Sequence, residues 1–449
     1  MKKTTHNQWI LLLTIGLGTL LNPLNSSMIS VALTQMQRDF ALTFADASWL
    51  ISIFYLASSA GQPVMGKLSD MFGAKRIFMG GLILVVISCL LAPFSPNYGF
   101  LLGCRALQAI GSSTLYPSGM SMIRAHITKN QARAIGVISI FSSTSAAFGP
   151  TIGGLLVANW NWPAIFLINI PIIIISFLMA IFVLPKSSKV NINFKRIDFI
   201  GISLFIISIL GLILFLLSLT EDIRWWALLV FLAFSILFYF FEKKKTEPFI
   251  DVEALRKNKN VNLVYLLFML INAVYYNYFF GIPTLLQQVR GYSEEHTGFI
   301  MLALAGFSVI ATPIAGRLID KKGSKPAAIT GAVFLLIGTA LLLTYHETSM
   351  LFWLIIIMAL LGVSNGFNNI SAQTALYEHV DEKATGSASG LFQTSRYLGA
   401  ILSGSFLGMA FTGHLDIAHF HLVAIVSFIV CIMIVGLTLK LPKKEKNRG

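Results

Sequence analysis

The most constraining feature of this chain is a series of apolar runs, each about twenty residues long, separated by short polar segments. Such a run has the length of a helix that crosses a bilayer. We predict fourteen spans, the first at Gln8–Leu33 and the last at Phe420–Leu439. With 56% hydrophobic residues, 12% charged residues and a mean hydropathy of +0.76, the chain has more apolar surface than a water-soluble core can bury. The sequence therefore predicts an all-α polytopic membrane protein.

The positions of the positive charges support this count and predict an orientation. If the N-terminus is cytoplasmic and the spans alternate, most of the 33 Lys and Arg residues fall in cytoplasmic segments. The outside loops contain Arg38, Arg224 and Arg290, while Arg105 and Arg396 lie within spans. This asymmetry follows the positive-inside rule. We expect both termini in the cytoplasm, and we ascribe the net charge of +14 to orientation and anionic lipid rather than to nucleic-acid binding.

A polar segment between the second and third spans returns later in the chain. Gly66–Gly73 and Gly316–Gly323 both read Gly-x-Leu-x-Asp-x-x-Gly. Similar elements about 250 residues apart predict a duplicated chain. The fourteen spans then divide as six, two and six. We expect an N-terminal six-helix bundle in residues 1–190, two linker transmembrane helices and a cytoplasmic loop in 191–260, and a C-terminal six-helix bundle in 261–449.

Two spans contain residues that are unusual inside a membrane. Arg105 lies well within the fourth span, where a cation is costly and usually faces protein or water. It either braces two helices or tunes the protonation of a neighbour. The fifth span contains Gly149-Pro150-Thr151-Ile152-Gly153-Gly154, a pattern that bends a helix and permits close helix packing.

Taken together, these stretches resemble the major facilitator superfamily, and specifically its fourteen-span drug:proton antiporter branch. The resemblance covers nearly the whole chain. Four motifs carry it: Gly66, Leu68, Asp70, Gly73 and Lys75; Arg105, Gln108 and Gly111; Gly149, Pro150, Gly153 and Gly154; and Trp162, Phe166, Asn169 and Pro171. It implies a major-facilitator fold, with two six-helix bundles plus two additional central transmembrane helices, in a bacterial plasma membrane.

The resemblance also implies residue roles. The residues concerned are Gly66, Asp70, Gly73, Lys75 and Asp320 for a conformational latch, Arg105 and Gln108 for proton coupling, and Gly149, Pro150, Gly153 and Gly154 for an antiporter helix. The resemblance implies that Asp70 faces the N-terminus of the thirteenth span, near Gly386 and Ser387, and the positive end of a helix suits a carboxylate there.

The first span departs from the family pattern. Relatives usually carry Asp in a sequence like Leu-Asp-x-Thr-Ile-Val, whereas this chain has Asn25 at that position. Since no other Asp or Glu falls near the middle of a span, the group that changes protonation must lie elsewhere. We favour Asp46 near the outer end of the second span, and rank Glu294 and Glu295 second. The alternative for each is a solvated loop acid or a helix cap, and coupling to Na⁺ stays open.

Several amides and aromatic residues are candidates for substrate contacts. Aromatic faces with a few amides suit planar, amphipathic and cationic ligands. The candidates are Asn22, Asn25, Gln108 and Phe141 in the first half, and Asn272, Tyr275, Tyr276 and Asn277 in the ninth span. For the ninth span, an aromatic belt at the membrane interface is the alternative.

A histidine-containing outer loop raises the question of a metal. His414, Asp416, His419 and His421 are ligand types for Zn²⁺ or Cu²⁺, but their spacing favours a hydrated polar turn. The three cysteines lie in apolar runs without metal-binding spacing. We expect no metal and no cofactor.

The sequence therefore predicts a monomeric secondary active transporter. It would be a proton-driven antiporter that exports structurally diverse amphipathic or cationic drugs and dyes by alternating access. The alternatives are a dedicated exporter of one compound, such as a metal–tetracycline chelate, and a monovalent-cation/proton antiporter. An enzyme is disfavoured because no Ser/His/Asp order, phosphate-binding glycine loop or acidic metal cluster is present. The absence of a signalling domain disfavours a flux-free sensor.

Overall fold

The computed structural model describes residues 2–42, 44–185, 197–220, 223–346, 348–411 and 416–442. In these ranges every regular element is a helix, which confirms the all-α class. The chain divides into two compact units. The first comprises Met1–Ile197 with Asp381–Thr394, and the second comprises Asp198–Val380 with Ser395–Gly449.

The first unit contains the helices that correspond to the first six predicted spans. Their bounds are α1 Lys2–Thr19, α2 Leu21–Asp39, α3 Phe44–Phe72, α4 Ala74–Leu91, α5 Tyr98–Ser113, α6 Leu115–His126, α7 Gln131–Trp160, α8 Ala164–Leu167 and α9 Asn169–Val183. The last segment of this unit, Asp381–Thr394, contains a short 3-10 helix at Glu382–Ala384 and the first ten residues of a longer helix.

Three of the predicted spans are broken at a single residue. The breaks lie between α1 and α2, between α5 and α6, and between α8 and α9. In each case a proline follows three residues after the break, at Pro23, Pro117 and Pro171. Because proline has no N–H, it cannot bond to the carbonyl four residues earlier, and the helical ladder is interrupted there. These prolines explain the breaks.

The second unit contains the remaining helices. They are α10 Phe199–Leu217, α11 Trp225–Lys243, α12 Val252–Lys257, α13 Lys259–Gln288, α14 Glu294–Lys322, α15 Ser324–Leu342, α16 Leu351–Tyr377, α17 Thr385–Ala410 and α18 Ile417–Leu439. Helix α17 begins in the first unit and continues in the second from Ser395. Helices α10 to α12, which we predicted as a separate linker segment, are part of the second unit.

The described helices include many that can cross a membrane. Ten are long and apolar enough, and the two segments of α7, bent by 40° where they meet, add an eleventh if they count as one span. The predicted spans outside this set correspond to α3, to α5 with α6, and to α17. Arg105 and Arg396 lie within the last two of these spans and lower their mean hydropathy. The fourteen-span count stays a prediction.

Burial follows the pattern of a protein whose solvent is lipid. Large apolar side chains face outward, for example Phe182, Leu229 and Ile310, which are 84%, 67% and 62% exposed. Polar side chains lie inside, and Arg105 is 1% exposed. Water would oppose this arrangement, whereas in a bilayer the apolar surface is solvated and polar groups are best satisfied by other protein groups.

The two copies of the repeated segment have the same local geometry. Gly73 joins α3 to α4 and Gly323 joins α14 to α15, each as a single residue between the helices. Their φ angles are 94° and 84°, a region that glycine enters without steric cost. Pro63 and Pro313 interrupt α3 and α14 at equivalent positions. The two copies of the motif therefore share their local structure, and the duplication of the whole chain stays a prediction.

Candidate functional site

A buried polar cluster in the first unit contains the fourth-span arginine. Helix α5 places Arg105 and Gln108 one turn apart, and Arg105 Nη1 donates to Gln108 Oε1 at 2.5 Å. Gln108 Nε2 donates to Asn25 Oδ1 at 3.0 Å, and Asn169 Nδ2 donates to the same oxygen at 2.9 Å. Gln108 Nε2 also lies 3.3 Å from Cys89 Sγ. We call these five residues, from helices α2, α4, α5 and α9, the Arg105 cluster.

The positive charge of Arg105 is held by neutral groups. Its Nε donates to the carbonyl of Leu50 at 3.2 Å, and its guanidinium carbon lies 4.5 Å from the centre of the Phe54 ring. Nη2 has no hydrogen-bond acceptor in the described structure. A buried cation is costly without a partner. This arrangement therefore supplies a fixed positive potential, and the two N–H groups of Nη2 have no acceptor among the described residues. Asn25, which replaces the family's acid, accepts two amide donors and cannot bind a proton at ordinary pH.

The contact predicted for Asp70 is present. Asp70 lies in the last turn of α3, and its Oδ1 accepts the N–H of Gly386 at 2.8 Å. Its Oδ2 accepts both the N–H and the hydroxyl of Ser387, each at 2.8 Å. These are donors of the first turn of α17, where the helix dipole and unsatisfied amides favour an anion. The role of this contact as a latch stays a prediction.

Two glycines allow the ends of α3 and α17 to approach this closely. A Cβ at Gly66 would overlap the carbonyl oxygen of Gly386, and a Cβ at Gly386 would overlap that of Gly66 and lie 2.5 Å from Asp70 Oδ1. Beside them, Arg124 Nη1 donates to Thr385 Oγ1 at 3.0 Å and to the carbonyl of Asp381 at 3.2 Å. Sequence reasoning did not identify Arg124, which belongs to no motif.

Burial sets the charge state of Asp70, which lies beyond the predicted span Trp49–Val64. Desolvation raises the pKa of its carboxyl from 3.8 to about 6, although the amide and hydroxyl donors of Ser387 and Gly386 and the charge of Lys67 oppose the rise. The carboxyl therefore titrates close to neutral pH.

The lysine that follows each repeated segment has another partner. Lys75 Nζ donates to the carbonyls of Ile181 and Leu184 at 2.7 and 2.9 Å, at the C-terminus of α9. Lys325 Nζ donates to the carbonyls of Leu439 and Leu441, both at 2.6 Å, at the C-terminus of α18. The last carbonyls of a helix have no partners within the helix. Each lysine thus caps the last helix of its half, and Lys75, which we grouped with the latch, contacts α9.

The predicted antiporter helix, α7, packs closely on α2. A Cβ at Gly149 would overlap Ser27 Oγ, and a Cβ at Gly153 would lie 2.8 Å from Val31 Cγ2 and 3.0 Å from the carbonyl oxygen of Met28. At Gly154 nothing lies within 4 Å. Pro150 removes one hydrogen bond near the point where the two segments of α7 meet at 40°. Close packing and the bend are therefore both present in the same helix.

The first-half candidates for substrate contacts divide into two groups. Asn25 and Gln108 bond to each other within the Arg105 cluster. Asn22 Nδ2 donates to Ser112 Oγ at 2.9 Å, which joins α2 to α5. The Phe141 ring covers Gly16 of α1, where a Cβ would lie 2.6 Å from the ring.

In the second unit, the amide and the aromatic candidates of α13 make different kinds of contact. Asn272 Nδ2 donates to the carbonyl of Phe268, and Asn277 Nδ2 donates to Ser427 Oγ of α18. Four rings form a row on the helix: Tyr275 stacks on Phe279 with 5.9 Å between centroids, and Tyr276 stacks on Phe280 with 5.4 Å. The aromatic candidates therefore stack on neighbouring rings of the same helix, whereas the two amide candidates form hydrogen bonds to other protein groups.

The candidate proton-binding acids lie at helix starts. Asp46 is an exposed residue in the first turn of α3, and its carbonyl accepts the Tyr98 hydroxyl. Glu294 and Glu295 begin α14, but their side chains lie outside the described part of the chain. Asp320 occupies the last turn of α14, at the position equivalent to Asp70.

The histidine-containing loop is described only in part, since His414 lies outside the described residues. Asp416 caps α18 by accepting the N–H of His419 at 2.8 Å, and the His421 ring contacts the carbonyl of Tyr345. Among the described residues, no group of three or more His, Cys, Asp or Glu side chains could hold a metal ion.

Comparisons with known proteins place these features in a family. The sequence profile described as "Major Facilitator Superfamily" matches residues 15–404. The chain is 42% identical over 424 residues to the MFS-type transporter YwoD of Bacillus subtilis, covering 94% of each chain. It is 28% identical to the riboflavin transporter RibZ of Clostridioides difficile over 90% of this chain and 88% of that protein. It is 26% identical to the multidrug resistance protein Stp of Mycobacterium tuberculosis over 90% and 76%.

Proposed function

Since the chain belongs to the Major Facilitator Superfamily and is a multi-pass membrane transporter of small molecules, we propose that it is a proton-driven antiporter for amphipathic drugs and dyes. In the proposed cycle, a binding chamber opens alternately to each side of the membrane. Proton binding and drug binding favour different states or compete for one. The similarity to the multidrug resistance protein Stp supports this substrate class.

The observation that carries the proposal is the Asp70 contact. A carboxylate on the first amides of α17 is a specific contact that a cycle can make and break, because the three donors at 2.8 Å lie in one helical turn, and the fourth, the Ser121 hydroxyl of α6, is 3.5 Å from Oδ1. Breaking the contact would free the start of α17 from the end of α3. The bent, glycine-packed α7 supplies a second element suited to such movement.

The Arg105 cluster is proposed to link proton binding to drug binding through the positive charge of Arg105. Its fixed cation lowers the affinity of nearby sites for a proton or a cationic ligand. With Asn25 in place of an acid, the coupling proton needs another carboxylate, and Asp46 is our first candidate, ahead of Glu294 and Glu295. We expect Asp46→Asn to abolish transport driven by a pH gradient and Glu295→Gln to leave it intact. If instead Glu295→Gln abolished transport and Asp46→Asn left it intact, the proton-binding residue would be Glu295.

Transport in everted membrane vesicles tests the proposal. Vesicles from cells that produce the protein would be energised with a pH gradient or a Na⁺ gradient, each imposed separately, and the uptake of several unrelated fluorescent dyes would be recorded. We expect uptake of more than one dye with the pH gradient alone. Uptake driven only by Na⁺ would contradict proton coupling, and uptake of none of the dyes would contradict the drug class.

A dedicated transporter of one neutral or anionic compound is the second candidate. The observation that favours it is the buried Arg105, whose described contacts are all neutral and whose Nη2 lacks an acceptor. Such a cation repels cationic ligands and attracts electron-rich ones. The similarity to the riboflavin transporter RibZ points the same way. Competition of dye uptake by riboflavin, compared with competition by cationic dyes, would separate the two candidates.

A further inference from the structure

Two acidic side chains that belong to none of the motifs are buried together at one end of the α10–α11 pair. Asp198 caps α10 by accepting the N–H of Gly201 at Oδ1, 2.8 Å away. Glu242 lies in the last turn of α11, and its Oε2 accepts the N–H of Ile250 at 3.2 Å. Asp198 is 5% exposed and Glu242 is 2% exposed. Both residues belong to the second unit.

The other oxygen of each carboxyl group, Asp198 Oδ2 and Glu242 Oε1, lies close to Gly201. A Cβ at that position would overlap Glu242 Oε1 and lie 2.6 Å from Asp198 Oδ2. No N–H or O–H group of the described residues donates to either oxygen. Both oxygens lie within 2.6 Å of the one point where that Cβ would be, so the two carboxyl groups face each other across Gly201. Glycine at position 201 is therefore what admits both oxygens.

Two carboxyl groups that face each other at this distance need a proton between them to form a hydrogen bond. An ionised carboxylate only accepts, so two of them cannot bond without a proton between them. Two buried negative charges at this distance also repel strongly. Lys245 Nζ lies 2.6 Å from Asp198 Oδ1 and supplies one positive charge. Among the described residues, this lysine is the cation that an ion pair joins to the two carboxyl groups, and it balances one of their two charges.

We propose that Asp198 and Glu242 form a proton-binding site that holds one proton between Asp198 Oδ2 and Glu242 Oε1. This proton keeps the turn that contains Phe249 and Ile250 against the α10–α11 pair. When the proton leaves, the two carboxylates repel, Glu242 moves, and its hydrogen bond to the Ile250 N–H is lost. This proton holds the turn in place whatever compound the protein transports.

The turn is held at two points besides the carboxyl pair. The Phe249 ring packs against Phe205 of α10 at 5.5 Å and against Phe238 of α11 at 6.4 Å, between centroids. Phe249 is 2% exposed. Aromatic packing therefore stabilises the docked turn, and the proton adds to it through Glu242. Release of the proton should loosen the turn without unfolding the helices.

In the part of the chain that the structure describes, Lys245 is the cation paired with these two carboxyl groups. The other described charged groups near them are all exposed: Lys243, Lys244 and Glu247 at the end of α11, and Asp251, Glu253, Arg256 and Lys257 at α12. Lys245 forms the ion pair with Asp198 and also lies 4.9 Å from the centre of the Phe241 ring. Arg256 bonds to the Tyr239 hydroxyl.

Hydrogen exchange of the Ile250 amide tests the proposal in the full-length protein in detergent. Exchange of the peptide that contains Ile250 would be followed over a range of pH and corrected for intrinsic exchange, with a peptide from α4 as internal reference. We expect protection to fall about tenfold per pH unit once the proton dissociates, the slope for release of one proton. In Glu242→Gln the slope should vanish, because an amide can donate to Asp198 and accept from Ile250.

The exposed variant Glu253→Gln is the matched control and should keep the wild-type slope. A wild-type slope of zero would overturn the proposal without any variant, so the test stands even if Glu242→Gln fails to fold. A folded Glu242→Gln with the wild-type slope would overturn it as well. If adding Na⁺ restores protection at high pH, the site binds a metal cation and the proton assignment is wrong.

Discussion

At the scale of single residues, the two buried polar contacts of the first unit differ in how their charge is balanced. Three donors at 2.8 Å from one turn of α17, with the Ser121 hydroxyl of α6 at 3.5 Å, surround Asp70, whereas Arg105 is surrounded by neutral acceptors and an aromatic ring. The three short hydrogen bonds of Asp70 would be lost together if the start of α17 moved away. The second draws on helices α2, α3 and α5 and is therefore the more rigid of the two.

We predict that Asp70→Asn sharply reduces efflux while leaving the amount of protein in the membrane unchanged. An Asn side chain can accept at one atom only, so its amide nitrogen would face a donor of Ser387. Dye efflux from intact cells measures the effect. Asp251→Asn is the control, since Asp251 caps α12 at an exposed position and Asn caps equally well. Full efflux by Asp70→Asn would remove the latch from the mechanism.

The raised pKa of Asp70 predicts a pH dependence of stability with a definite sign. Burial raises that pKa from 3.8 to about 6, so between these values the native state binds more protons than the unfolded chain. The contribution of Asp70 to the free energy of unfolding is present below the lower value and declines as pH rises to the upper one. The difference in melting temperature between wild type and Asp70→Asn should shrink over this range. A difference that grows with pH would contradict the sign.

At the scale of helices, glycines and prolines determine where elements approach, break and bend. The breaks before Pro23, Pro117 and Pro171 could not be predicted from hydropathy, because a twenty-residue window averages over a missing hydrogen bond. The contact between Asp70 and α17 could be predicted, because the motif that implies it is in the sequence. The partner of Lys75 could not, since the C-terminus of α9 is more than a hundred residues away in sequence.

The glycine contact predicts that Gly386→Ala abolishes transport. Its Cβ would overlap the Gly66 carbonyl and crowd Asp70, so the ends of α3 and α17 must separate. Gly404→Ala lies in the same helix with nothing within 4 Å and serves as the control. We expect this control to transport normally and to melt at the same or a higher temperature, because Ala favours a helix over Gly. Normal transport by Gly386→Ala would show that the close approach is dispensable.

The two lysine caps predict similar losses of stability in the two halves. Lys75→Met and Lys325→Met each remove a cation from two helix-terminal carbonyls, which should cost about 1 kcal/mol in the free energy of unfolding. Lys129→Met, at an exposed loop position, is the control. Thermal melting in detergent measures the change. If Lys75→Met lost transport without losing stability, Lys75 would belong to the latch after all.

At the scale of the whole molecule, the family assignment identifies the chain as a transporter of the Major Facilitator Superfamily. The repeated Gly-x-Leu-x-Asp-x-x-Gly segment predicts related halves, and its two copies share a single-glycine connection with positive φ at Gly73 and Gly323. The division into two six-helix bundles stays a prediction. The buried Asp198–Glu242 pair could not be foreseen. The two residues are far apart in the chain, and Glu242 begins a run of lysines that reads as an ordinary solvated segment. Only the packing of α10 on α11 buries them together.

Simultaneous recording of drug and proton movement in proteoliposomes tests the central claim most directly. The purified protein would be reconstituted with a pH-sensitive dye enclosed, and a transported drug would be added outside without any imposed gradient. The account predicts that drug entry drives protons out of the lumen, with both fluxes lost together in Asp70→Asn. Drug entry with no change in the luminal pH, or with protons moving in the same direction, would contradict it.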